Sequence, residues 1–169
     1  FLNENYSWTN DLDEHRWRLP FTNSGADECH KYLSYKNTIP NASAVIFRRK
    51  DASQLDWVFS QFTMAGDWLF WIQMLELGDI SYSPKCLNYF RISPNNTRKY
   101  KLLNDKLNIA IEELAILKYL KKKNIIVFRD MVWRNVRLIL KTVILLVFGI
   151  GSLPKSSYEK AGRILFNQI

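Results

Sequence analysis

The chain has 169 residues, 47% hydrophobic and 14% aromatic, which is enough apolar material for one buried core and too much for a disordered segment. Its net charge of +8 is unevenly placed: residues 1–97 carry 9 Lys/Arg against 11 Asp/Glu, whereas residues 98–169 carry 15 against 5. The two cysteines, Cys29 and Cys86, are far apart and lack metal-ligand spacing, which argues against a disulfide framework or a zinc site and fits a reducing compartment.

The chain opens at Phe1 with no methionine and no charged-then-apolar leader, so the expectation is part of a longer protein. Residues 1–23 are rich in Asn, Asp, Thr and aromatics without a clean period and read as a loop with at most a short helical turn. Ser24-Gly25-Ala26-Asp27 has capping-box spacing, with Asp27 in place of Glu or Gln, and opens a short helix carrying Cys29, Tyr32, Leu33 and Tyr35 to near Asn37. Residues 38–48 contain Pro40 and finish in the β-formers Val45, Ile46 and Phe47, the pattern of a strand. A turn is expected at residues 49–51. Leu55, Val58, Phe59 and Phe62 then recur at helical spacing until Gly66. A second apolar helix follows, with Leu69, Phe70, Ile72, Met74 and Leu75 running to Gly78, and Asp67 stands at its head.

Beyond Gly78, Ile80 and Tyr82, and then Leu87, Tyr89 and Phe90 after Pro84, suggest two short strands with Arg91 at the end of the second. Ser93-Pro94-Asn95-Asn96-Thr97 is turn chemistry, a polar loop of the kind that often carries function. Residues 103–123 form a long amphipathic pattern with Leu107, Ile111, Leu114, Ile116, Leu117 and Leu120 on or near the apolar side, and Lys121 to Lys123 suit its C-terminal dipole. A further helix is expected over residues 127–148. Its apolar run, residues 143–150, is far short of the roughly 20 residues that span a bilayer, and Arg134, Arg137 and Lys141 limit its extension. It either packs on the rest of the protein or lies as a basic interfacial helix on anionic lipid. Residues 155–166 could form a last short helix.

Asp67 admits two roles. An acid at a helix head ordinarily caps the helix or complements its dipole. The order around it suggests another: Asn37 to Arg48, a variable helix, Gly66-Asp67-Trp68, a helix, Gly78-Asp79-Ile80-Ser81-Tyr82, then Leu87-Asn88-Tyr89-Phe90-Arg91 and Asn95-Asn96-Thr97. This series resembles the C-terminal half of the catalytic domain of family 2 glycosyltransferases, the bacterial GT-A type that builds surface polysaccharides. The resemblance covers roughly residues 36–98 of the 169.

The resemblance implies an α/β fragment: a small sheet with flanking helices over residues 1–97, the acceptor side of a GT-A domain, followed by a basic helical region over residues 98–169. It implies that Asp67 is the general base of an inverting hexosyl transfer from a nucleotide sugar to a saccharide hydroxyl. It makes Trp68 a candidate for stacking on a sugar ring, and Arg91 and the loop residue Asn96 candidates for substrate contacts, Arg91 near the diphosphate. A divalent metal, manganese or magnesium, is implied for the full-length enzyme and not for this fragment, which should be inactive alone. The histidine that the family often places two residues after the arginine is Ser93 here. The nucleotide-binding half with its Asp-x-Asp motif is not found, and Asp11-Leu12-Asp13 matches it in letters only, since residues 6–10 are polar and unlike a buried strand end.

Phe70 and Trp71 share helical spacing with Met74 and Leu75 and read as core. A cytoplasmic location is expected, with peripheral contact of the basic region on the inner membrane face. The alternative is a non-catalytic interaction or membrane-docking domain. Nucleic acid is not expected as a partner, because the basic residues lie on helices with strong apolar faces and match no helix-turn-helix or RNA-binding signature.

Overall fold

A computed structural model of the chain describes residues 9–39, 41–55, 61–88, 103–126 and 136. The chain divides into two units, Phe1–Phe59 with Asp67–Ile92, and Ser60–Gly66 with Ser93–Ile169.

The first unit holds a small antiparallel sheet with flanking helices. Strand β1, Phe21–Asn23, pairs with β2, Ile80–Tyr82, in the register Phe21 to Tyr82, Thr22 to Ser81 and Asn23 to Ile80. The two-residue pleat puts Phe21, Asn23, Ile80 and Tyr82 on the half-buried face, while Thr22 and Ser81 are exposed with their hydroxyls 3.0 Å apart. Trp17 packs edge-on to Tyr82 at 4.8 Å, and Tyr82 stacks on Phe21 at 5.3 Å. Two hydrogen bonds pin the preceding turns: the Trp17 indole donates to Thr9 Oγ1 at 2.7 Å, and the Tyr82 hydroxyl donates to the Trp17 carbonyl at 3.1 Å.

Helix α1, Gly25–Glu28, starts where the capping spacing predicts, with Ser24 Oγ accepting from Asp27 N–H at 3.1 Å. It continues into a wider π-type turn, Cys29–Leu33. A 3-10 turn, Ala42–Ala44, and a single helical turn, α2, Arg49–Ala52, precede the main helix of this unit, α3, Gly66–Leu75. Helix α3 buries Trp68, Leu69, Trp71, Ile72, Gln73 and Leu75, and with Cys29, Leu33, Ile39 and Leu55 these make the core. Leu33 and Ile72 are wholly enclosed, each contributing about 1.5–3 kcal/mol by leaving water.

The head of α1 lies directly against the C-terminal end of α3. A Cβ placed on Gly25 would stand 1.9 Å from the Leu75 carbonyl oxygen and 2.1 Å from that of Gly78. The Gly25 N–H donates to Asp79 Oδ1 at 3.2 Å, tying the start of one helix to the turn after the other.

Three expectations are corrected. Residues 21–23, read as loop, form a strand whose partner lies some sixty residues away. Residues 38–48, read as a strand, pair with no strand among the described residues: Asn41 Oδ1 accepts from Ser43 N–H at 3.2 Å and winds the backbone into the 3-10 turn, leaving only Val45 to Arg48 between that turn and α2. Leu87 is 77% exposed and outside any strand, and residues 89 and 90 lie outside the described residues.

The second unit contains α4, Leu103–Lys122, which buries Leu107, Ala110, Leu114, Ile116, Leu117 and Leu120. Lys121 and Lys122 lie in its last turn, where the carbonyl end of the dipole favours them. Asn124, at φ 56°, supplies the left-handed residue that ends the helix; Ile125 N–H reaches back to the Leu120 carbonyl at 2.9 Å and Asn124 N–H to that of Lys121 at 3.0 Å. Among the described residues no helix is long and apolar enough to cross a membrane. The expected helices beyond residue 127 lie outside the described residues, except for helical Val136.

Candidate functional site at the head of helix α3

Asp67 is exposed in the first turn of α3. Its negative charge there complements the partial positive charge of the helix N-terminus. The next residue turns the other way: Trp68 is 7% exposed, and its indole N–H donates to the Leu33 carbonyl at 2.8 Å. That leaves little ring surface for a sugar and gives the helix head a fixed anchor in the core. One turn on, Trp71 is buried, and Phe70 is half-buried and meets it edge-on at 4.8 Å. Phe47 closes the cluster, with its ring centre 5.4 Å from Phe70 and 6.0 Å from Trp71. Arg91 and Asn96, the other two candidates, lie outside the described residues.

The residues leading into α3 belong to the second unit and are held there by one carboxylate. Glu112, 8% exposed in the middle of α4, accepts from the backbone N–H of Thr63 at 2.7 Å, Met64 at 2.9 Å and Ala65 at 2.6 Å, and from the Thr63 hydroxyl at 3.0 Å. Successive N–H groups converging on one anion make a nest, and bonds to a charged acceptor are about twice as strong as neutral ones. Sequence reasoning passed over Glu112. The available signal was its place four and eight residues before the buried Ile116 and Leu120, at the start of the apolar part of that line.

A second polar cluster lies in the first unit. Arg16 and Glu28 form an ion pair with side chains 4% and 0% exposed, and Asn23 Nδ2 donates to the same Glu28 oxygen at 3.1 Å. The guanidinium lies 3.6 Å from the Tyr32 ring centre and 4.1 Å from that of Phe21. A cleft of about 250 Å³ opens beside it, lined by Asp13, Arg16, Phe21, Thr22, Asn23 and Tyr32. Arg16 Nε and Glu28 Oε1 are buried with no hydrogen-bond partner.

Asp11 receives Lys36 Nζ at 2.5 Å, and Asp13 accepts from the His15 N–H at 2.9 Å. Among the described residues no group of three or more His, Cys, Asp or Glu side chains could hold a metal ion. The Cys29 thiol, whose Sγ lies 3.8 Å from the Ile72 carbonyl oxygen, is pushed up to about 12 by burial, with the charges of Glu28 and Glu76 adding to it. Burial also raises the Tyr82 phenol, with Cys86 contributing. Cys86 is exposed, and neither cysteine is in a disulfide.

No protein-family model matches the chain, and no curated protein or solved structure matches it either.

Proposed function

We propose that this chain is the acceptor-side part of an inverting GT-A glycosyltransferase that moves a hexosyl group from a nucleotide sugar to a saccharide hydroxyl in surface polysaccharide synthesis. The observation that carries this reading is the exposure of Asp67 at the head of a helix whose next residue is locked in the core. A base must reach an incoming hydroxyl and must not drift, and a water-facing carboxylate on an anchored first turn meets both demands.

In the proposed step an Asp67 oxygen takes the proton of the acceptor hydroxyl as that oxygen bonds to the anomeric carbon. The bond from that carbon to the diphosphate breaks on the opposite face, and the configuration inverts. An alcohol is a poor nucleophile, and a positioned carboxylate accelerates such attack by about 10²- to 10⁴-fold. Arg91 is assigned to the departing diphosphate, where a cation offsets developing charge. Asn96 is assigned to substrate contacts in the loop that follows. Trp68 serves the site by holding the helix head. The divalent metal that the resemblance implies finds no fitting donor set among the described residues, so no step here runs through it. The basic region after residue 98 is assigned to peripheral contact with the inner face of the cytoplasmic membrane.

A non-catalytic docking domain is the competing reading, favoured by the exposed Ile46, Phe47 and Leu87. Asp67→Asn in the full-length protein separates the two. The enzyme reading expects transfer to fall at least about 100-fold with nucleotide-sugar binding unchanged. Near-wild-type turnover would remove Asp67 from the mechanism.

A further inference from the structure

The cleft beside the enclosed Arg16–Glu28 pair lies wholly in the first unit, and its walls come from residues 13–32, outside the stretch that carries the glycosyltransferase resemblance. Its 250 Å³ corresponds to about eight water molecules at about 30 Å³ each, which is room for one six-membered sugar ring and not for a chain of them.

The walls decide what kind of guest fits. The charge of Arg16 is met by Glu28, and Asp13 adds a second carboxylate, so an entering anion finds no net positive charge to hold it. A cation fares no better. The ring faces that would hold one, Tyr32 and Phe21, already lie against the guanidinium, 3.6 and 4.1 Å from its carbon. A neutral guest avoids both conflicts. What the walls have left to offer suits hydroxyl groups. One Asp13 oxygen takes the His15 N–H at 2.9 Å, and a carboxylate has capacity for several donors more. Asn23 spends its Nδ2 on Glu28, so its carbonyl oxygen is the end left for a ligand. The Tyr32 hydroxyl both donates and accepts. Arg16 Nε is buried with no hydrogen-bond partner, a donor whose lost water an entering oxygen can replace once the wall yields to it. The half-buried Phe21 supplies apolar surface for ring C–H groups.

We propose that this cleft is a binding site for a single neutral sugar ring, held through its hydroxyls by Asp13, Asn23 and Tyr32 against the Arg16 guanidinium. It stands apart from the role of Asp67: a protein that transfers no sugar can still hold one here, and a working transferase can lack this site. A small, open cleft that gathers few contacts binds weakly, with a Kd on the order of millimolar.

The test is an NMR titration of the full-length protein with methyl glucoside, methyl galactoside, methyl mannoside and N-acetylglucosamine, following the backbone amides of Asp13, Thr22, Asn23 and Tyr32. Inorganic phosphate and methylammonium serve as charged comparisons. At least one sugar is expected to shift these amides saturably, and to bind more tightly than either ion. Asp13→Ala should weaken that binding about tenfold or more, because it removes a charged acceptor. Tyr32→Phe, which keeps the ring against the guanidinium, should weaken it about two- to fivefold. Asp27→Ala, at an exposed pair with Lys31 away from the cleft walls, should bind as wild type does. Should Asp13→Ala fail to fold, Tyr32→Phe carries the expectation alone.

The sugar site is overturned by the absence of a saturable shift with every sugar, by tighter binding of phosphate or methylammonium at the same amides, or by wild-type affinity in both Asp13→Ala and Tyr32→Phe. Each of these results leaves the assignment of Asp67 where it was.

Discussion

Gly25 is a residue that space alone selects. Any side chain would meet the Leu75 and Gly78 carbonyl oxygens within 2.1 Å, and both are backbone atoms that cannot swing aside. Gly25→Ala must therefore part α1 from the end of α3 and break the 3.2 Å bond to Asp79. The expected loss is about 2 kcal/mol or more, read as a lower urea midpoint at unchanged m-value. At this scale legibility is mixed. Asp67 can be picked out because glycine and an aromatic run bracket it, and the capping role of Ser24 follows from local spacing. The Arg16–Glu28 pair cannot, since Arg16 sits in a stretch without period and its partner is twelve residues on, across a strand and a cap. Gly25 itself reads as helix-start punctuation, and the carbonyls that require it belong to a distant segment.

Elements are legible where their information is local. Helices α3 and α4 appear close to their expected spans because apolar spacing runs through them and glycine, asparagine or lysine marks their ends. Strand β1 is three residues long and exists because β2 is opposite it. Conversely, Val45, Ile46 and Phe47 have the composition of a strand but pair with none among the described residues, and Ile46 is fully exposed. Propensity describes what a segment tolerates, while pairing decides what it becomes. The end of α4 offers a test of the local kind. Asn124 holds a φ of 56°, which a β-branched residue tolerates poorly. Asn124→Val should cost about 1–2 kcal/mol and Asn124→Gly should be neutral or slightly stabilising, as thermal unfolding of the two variants would report.

For the whole molecule, alkaline stability gives a measurable signature of the first core. The buried Cys29 thiol keeps its proton to about 12 in the folded protein, against an ordinary 9.0 once unfolded. The unfolded chain thus releases this proton first. The contribution is complete below pH 9 and is lost as the pH rises from there toward 12. Cys29→Ala should lower stability at neutral pH by opening a cavity, yet show a shallower decline than wild type across that window, as chemical denaturation at stepped pH would measure. A thiol reagent at neutral pH should modify the exposed Cys86 and spare Cys29 until the protein unfolds.

The enclosed pair of Arg16 and Glu28 also constrains how this protein can change over generations. Losing either partner strands a charge that almost no water reaches, at about 3–5 kcal/mol, a large share of the 5–15 kcal/mol that holds a typical domain together. An apolar pair of similar volume could be as stable, but every route to it by single substitutions passes through one of those half-charged forms. Positions 16 and 28 therefore behave as one heritable character, kept or exchanged as a unit, and the aromatic rings of Phe21 and Tyr32 against the guanidinium tie two further positions to the same fate.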